Sequence, residues 1–154
     1  MSPQNIFLIG ATGFVGGHLT ALLAEKHPEW HLICLLREPT PARIVGLKNL
    51  DHNVEVLEGT LDDFDVISQK AEEVDIVIHL AHSDHLPSVE AVLDGLTKQK
   101  AKNPERKPIY LHMSGMGIIV DNVYGQRVDH VKEWTDVDLD LNEYVSLFCD
   151  DKGK

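Results

Sequence analysis

Three glycines at regular spacing, Gly10-Ala-Thr-Gly13-Phe-Val-Gly16, follow an apolar run, Ile6-Phe-Leu-Ile9, and precede leucines at helical spacing, Leu19, Leu22 and Leu23. Glycine at the first position lets a chain turn sharply off a strand. At the second it lets backbone approach a pyrophosphate, and at the third it lets a helix pack close to the strand. The helix opening there presents unpaired N–H groups and the positive end of its dipole to phosphate oxygens. Strand, glycines and helix together predict a dinucleotide-binding turn. Arg37 carries a second piece of chemistry, because it ends the next apolar run, His31–Leu36, and lies 21 residues after Gly16. In such a unit the residue ending the second strand lies beside the adenosine ribose. An acidic residue there accepts from a 2′-OH, whereas a guanidinium pairs with a 2′-phosphate and stacks on adenine. NADP is therefore expected over NAD. Glu38 keeps the alternative open, in which its carboxylate faces the ribose and Arg37 is a solvated charge.

His79-x-x-His82-x-x-His85 has a spacing that can share a metal on a helix or tight loop. His79 falls inside an apolar strand pattern and the other two lie beyond its end, so the rings are not expected to converge. No cysteine or carboxylate set completes a site. A hydrogen-bonded strand histidine and two loop histidines are expected instead, with no metal. His112 and Met113 read as strand residues. The alternation Asp136–Asp140 reads as a solvated loop, since it lacks the glycine and terminal glutamate of a calcium loop.

The elements that must position these residues follow from periodicity. Apolar runs alternate with helical patterns, the signature of βαβ units and a mainly parallel sheet. Strands are expected at 6–9, 31–36, 54–57, 75–81 and 109–113. Helices are expected at 14–27, ended by His27-Pro28, at 42–50, after Asp62 or Asp63 with Phe64, Ile67 and Ala71 on one face, and at 86–102 with Leu86, Val89, Leu93 and Leu96 on one face. The second strand is continuously apolar, as when both faces are covered, and the third alternates, as nearer an edge. The expected fold is α/β, a Rossmann-type doubly wound parallel sheet of order 3-2-1-4-5 with helices on both faces. Residues 1–117 form this domain, and 118–154 are expected to be a partly irregular segment without a separate substrate domain.

The chain has 154 residues, about one domain, and 14 Lys+Arg against 25 Asp+Glu give a net charge of −11. That balance argues against nucleic acid and anionic membrane surfaces as partners. Cys34 and Cys149 suit a reducing compartment and are expected as free thiols. The N-terminus lacks a basic region before an apolar one, and no apolar run approaches membrane-spanning length, so a cytoplasmic location is expected.

Together, Gly10-x-x-Gly13-x-x-Gly16, the Arg-ended second strand, Glu58-Gly-Thr-Leu-Asp-Asp63, His79-Leu-Ala81 and His112-Met-Ser114-Gly115 resemble the extended and atypical short-chain dehydrogenase/reductase superfamily, with fungal-type and NmrA-like members nearest. The resemblance covers about residues 5–117. It implies that Thr12, Phe14 and Val15 line the pyrophosphate turn, that Leu61 meets adenine, and that Leu80 and Ala81 pack along the ribose side. It also departs from the pattern, because members often carry Gly-Asp-Leu-x-Asp where this chain has Gly59-Thr60-Leu61-Asp62-Asp63, with a hydroxyl in place of the carboxylate.

A second departure touches catalysis. The resemblance implies a serine after strand five, filled here by Ser114, paired with Tyr-x-x-x-Lys, in which lysine lowers the tyrosine pKa for proton transfer. Tyr110, Tyr124 and Tyr144 are followed four residues later by Ser114, Val128 and Phe148. The chain also stops before the sixth strand and the substrate region of extended members. Three expectations stay open: a domain whose remaining segment lies elsewhere, a small cofactor-binding protein without catalysis, and an unusual base, His82 or His85. Three functions stay open as well: hydride transfer to a small carbonyl with Ser114 polarising the oxygen, a non-catalytic NADP(H) sensor or regulator, and an interaction remnant that keeps the fold but not the cofactor. An open sheet edge after strand five makes a homodimer a further expectation.

Overall fold

The computed structural model describes residues 3–115. The expected 118–154 segment, with Tyr124, Asp136–Asp140, Tyr144 and Cys149, lies outside the described residues. Five strands, β1 (Asn5–Ile9), β2 (His31–Leu36), β3 (Val54–Glu58), β4 (Ile76–His79) and β5 (Ile109–His112), alternate with α1 (Phe14–Lys26), α2 (Pro41–Leu50), α3 (Phe64–Glu73) and α4 (Leu86–Lys102). All strand pairs are parallel and the order is β3-β2-β1-β4-β5. The fold is the expected α/β doubly wound sheet. β4 ends at His79 rather than at Ala81.

Alternate side chains of the central strands enter two separate cores, because successive strand residues point to opposite faces. Phe7, Ile9, Ile33, Leu35 and Val77 pack with Ile67 and Ala71 of α3 and Ala91 and Val92 of α4. Ile6, Leu8, Leu32, Cys34 and Ile78 pack on the other face with Leu47 of α2 and the half-buried Leu19 and Leu23 of α1. Cys34 is a free thiol whose pKa burial pushes up to about 12, with Asp51 adding to the effect.

Two helix faces differ from the leucine pattern. In α4 the buried line is Ser88, Ala91, Val92, Gly95 and Gln99, while Leu86 and Leu93 are exposed. The reason is close packing of α3 on α4: a Cβ on Gly95 would lie 2.2 Å from the Ser68 carbonyl oxygen. Small residues must occupy that contact line, so the leucines are rotated away from it. In α1 the fully buried residues are Gly16 and Thr20, and Leu22 is half exposed.

Chain direction places the site. From β1 the sheet grows through β2 and β3 on one side, then β4 returns to the other side of β1. The strand order reverses there, leaving a crevice beyond the carboxyl ends of β1 and β4.

Candidate functional site

The glycine turn sits at that crevice. Gly10 has φ +97°, a conformation in which a side chain is strained, and a Cβ there would stand 2.8 Å from the Ala81 nitrogen beyond β4. Gly13 N–H donates to the Gly10 carbonyl at 3.0 Å and closes the turn. A Cβ on Gly16 would lie 2.1 Å from that same carbonyl oxygen. The N–H groups of Phe14, Val15 and Gly16 precede the first bond of α1, from Gly17 N–H to Gly13 O. No side chain caps them and the first turn holds no acidic residue. They are placed to receive an anion.

A cleft of ≈ 520 Å³ opens along the carboxyl ends of the strands. Gly10, Thr12, Arg37, Leu61 and Ala81 line it, and Arg43, Thr60, Asp62, His82 and His85 join them. Arg43 comes from the first turn of α2, where Thr40 Oγ1 accepts from Arg43 N–H at 3.4 Å and Pro41 begins the helix. Its guanidinium donates to the Glu38 carbonyl at 3.1 Å and to the Glu38 carboxylate at 3.4 Å. Glu38 is thus engaged with Arg43 and is not part of the cleft lining.

Across the cleft, the loop after β3 is tied by its own side chains. Asp63 Oδ2 accepts from Thr60 N–H at 2.6 Å and from the Thr60 hydroxyl at 2.9 Å, and these bonds hold the Asp63 carboxyl below the usual carboxylate range. Asp62 Oδ1 lies 3.3 Å from His85 Nε2. His85 Nδ1 accepts from Ser88 N–H at 3.3 Å at the start of α4, so the ring proton sits on Nε2 and faces Asp62. His79 is buried with Nε2 2.9 Å from Ser88 Oγ, the hydrogen-bonded strand histidine that was expected. His82 Nδ1 accepts from Asp84 N–H at 3.1 Å. His79 and His85 meet the hydroxyl and the N–H of Ser88, and His82 meets Asp84 N–H, so each ring is tied into its own hydrogen bond. Among the described residues no three His, Cys, Asp or Glu side chains are grouped to hold a metal ion.

Residues 6–94 match the sequence profile of the NAD dependent epimerase/dehydratase family. The chain belongs to that family. Members bind NAD(P). Oxidase ucsJ of Acremonium sp is 34% identical over 125 residues, which is 80% of this chain and 34% of that protein. An uncharacterized Saccharomyces cerevisiae protein, YLL056C, is 28% identical over 97% of this chain and 50% of its own length. A dTDP-glucose 4,6-dehydratase of Mycobacterium tuberculosis is 25% identical over 89% of this chain and 39% of its own length. The chain thus spans between a third and a half of these relatives. In fold it is similar to a short-chain dehydrogenase/reductase from Veillonella parvula in complex with NADP, with TM-score 0.55 and 17% identity over 77% of this chain and 51% of that one.

Within the family fold, the sequence-derived residues divide into groups. Gly10, Gly13 and Gly16 form the turn. Phe14 and Val15 project outward at the start of α1, at 86% and 46% exposure. Arg37, Leu61 and Ala81 reach the cleft, while Leu80 packs into the core beneath α1 and α2. Ser114 is exposed just beyond β5, next to Met113, whose N–H extends the ladder to the His79 carbonyl at 3.0 Å. Arg43 and the Asp62–His85 pair were not singled out from sequence. Thr40-Pro41 followed by Arg43 was a readable signal, since that cap places the arginine on the first turn. The partner of His85 had no local signal, because Asp62 is 23 residues away and only the packing of α3 on α4 joins them.

Proposed function

We propose that this chain binds NADP(H) in the cleft and that it derives from oxidoreductases acting on a small carbonyl compound. The fit rests on the bare glycine backbone at Gly10 and Gly16, where any Cβ collides, and on the uncapped start of α1. The N–H groups of Phe14, Val15 and Gly16 would hold the pyrophosphate, with Thr12 beside them, and Leu61 and Ala81 would pack along the nucleoside. The observation that carries NADP over NAD is the pair of guanidinium groups, Arg37 and Arg43, at one end of the cleft, with Glu38 held by Arg43. When bound, a nicotinamide dinucleotide supplies or accepts a hydride. The Ser114 hydroxyl would polarise the carbonyl by donating a hydrogen bond to its oxygen. Isothermal titration of the parent chain tests the binding half: NADPH is expected to bind more tightly than NADH, with Arg37→Ala erasing the difference. Equal affinities in the parent overturn it.

A non-catalytic sensor or regulator of a partner is the second reading, favoured by the residues four positions after each tyrosine, none of which is lysine. His85 Nδ1 spends its lone pair on Ser88 N–H, which weighs against His85 as the base. NADPH oxidation with a panel of carbonyl compounds separates the readings, since turnover lost in Ser114→Ala removes the sensor. Two lesser proposals accompany this one. Cys34 as a free thiol supports a cytoplasmic setting. Ile109 and Leu111, exposed on β5, and Met113 just beyond it support pairing of two copies, which light scattering of the parent and Leu111→Lys would test.

A further inference from the structure

The stretch Glu38-Pro39-Thr40-Pro41 leads from β2 into α2 and lies outside the cleft lining, yet it holds one of the two cleft arginines. Thr40 is exposed, its backbone is extended at φ −63° and ψ 151°, and a proline flanks it on each side. Its hydroxyl oxygen accepts a long bond, 3.4 Å, from Arg43 N–H. A hydroxyl in an exposed, extended stretch directly before a proline is what a proline-directed protein kinase takes as substrate. Of the α2 side chains only Leu47 is buried, so the first turn can open locally to enter an enzyme's active site. Arg43 brackets the threonine: its N–H meets Thr40 Oγ1, and its guanidinium reaches back to the carbonyl and carboxylate of Glu38, two residues before it.

Resting on the NADP(H) reading above, we infer that Thr40 is a phosphorylation site whose phosphoryl group competes with the cofactor's 2′-phosphate for Arg43. The kinase transfers the γ-phosphoryl group of ATP. The bond from Thr40 Oγ1 to phosphorus forms, the bond from phosphorus to the ADP oxygen breaks, and the hydroxyl proton leaves to the kinase's base. Glu38 offers Arg43 one carboxylate in an exposed pair. A phosphothreonine offers about −1.5 to −2 charges and three acceptor oxygens, which a guanidinium fork binds more strongly. The first turn of α2 holds no acidic residue to oppose it. With Arg43 drawn to Thr40, and a second anion beside the proposed place of the 2′-phosphate, the arginine end of the cleft no longer favours NADP(H). NADH carries no 2′-phosphate and escapes the competition.

The full chain is incubated with ATP and a proline-directed kinase of the mitogen-activated class, and the product is mapped by peptide mass spectrometry. Phosphate is expected on Thr40, kept in Thr40→Ser and lost in Thr40→Val and Pro41→Ala. Ser2 also precedes a proline, and the mapping tells the two positions apart. Calorimetric titration then compares the phosphorylated and unmodified chains, with circular dichroism showing both to be folded. Phosphorylation is expected to weaken NADPH about tenfold, the size of one hydrogen bond between charged groups, and NADH by less than about twofold. Absence of phosphate at Thr40 overturns the site, and an unchanged NADPH-to-NADH ratio in the phosphorylated chain overturns the competition. Either result leaves the NADP(H) reading standing. An unmodified chain that binds NADPH no better than NADH overturns that reading and the competition with it, whereas the labelling of Thr40 is scored independently.

Discussion

His79 Nε2 stands 2.9 Å from Ser88 Oγ and joins the last residue of β4 to the first turn of α4. Ser88 donates its own proton to the His85 carbonyl at 2.9 Å, so its oxygen can only accept from His79. The imidazole is therefore neutral with Nε2 protonated, and Nδ1 is buried without a hydrogen-bond partner. Burial, and then the neighbouring His112, His85 and His82, push its pKa down to about 4 from 6.5. As pH falls, the unfolded chain takes up this proton first, so the folded state loses stability from about pH 6.5 downward and the loss levels off below about pH 4. The shift corresponds to about 3 kcal/mol. Urea unfolding across that range should show the parent losing about that much more than His79→Gln. Parallel curves for the two proteins would contradict the account.

Gly16 and Gly46 make a matched pair for testing the turn. A methyl on Gly16 meets the Gly10 carbonyl oxygen at 2.1 Å, and that oxygen is backbone and cannot swing aside. Gly16→Ala should therefore cost about 3 kcal/mol by overpacking and should abolish dinucleotide binding under conditions where the variant is still folded. Gly46 lies inside α2 with nothing within 4 Å of its ideal Cβ. Gly46→Ala should stabilise the chain by about 1 kcal/mol through helix propensity and leave binding unchanged. Thermal unfolding and titration of both variants check the contrast.

How far the sequence reaches depends on whether the deciding contact is local. The strands could be read because a sheet covered on both faces demands continuous apolar runs such as Leu32–Leu36. Gly10, Gly13 and Gly16 could be read because their turn and the helix it opens occupy one short stretch. Helix faces were harder: in α4 the sequence shows well-spaced leucines, but Gly95 and Ala91 face α3 because the helices approach too closely for larger side chains. The same reason hid half of the cleft. Asp62 and His85 meet only because α3 and α4 start side by side, a juxtaposition that no pattern within either segment encodes.

Gly95→Ala probes that close approach directly. Its Cβ would lie 2.2 Å from the Ser68 carbonyl oxygen and 2.8 Å from the Ala71 Cβ, so α4 must move away from α3. Ser68, Asp94 and Lys98 bridge the two helices beside it, with Ser68 Oγ donating to Asp94 at 2.5 Å. A loss of about 3 kcal/mol is expected in urea unfolding. Unchanged stability would show that the helices tolerate a wider spacing.

Glu38 gives the sharpest test of the guanidinium pair. It adjoins Arg37 in sequence, yet its carboxylate is 3.4 Å from Arg43, where it neutralises one of the two charges proposed to meet a 2′-phosphate. Glu38→Gln removes that competition without removing either arginine. The pair is exposed, so its attraction is worth only a few tenths of a kcal/mol to about 1 kcal/mol, and the NADPH-to-NADH affinity ratio should rise by about threefold. Arg43→Ala should lower the ratio instead. Both changes should shrink at high salt, because the groups are solvent-screened. If Glu38 faced the ribose itself, Glu38→Gln would weaken NADH selectively and Arg43→Ala would leave NADPH unaffected. Measuring the ratio at low and high salt for the parent and both variants decides between the two arrangements.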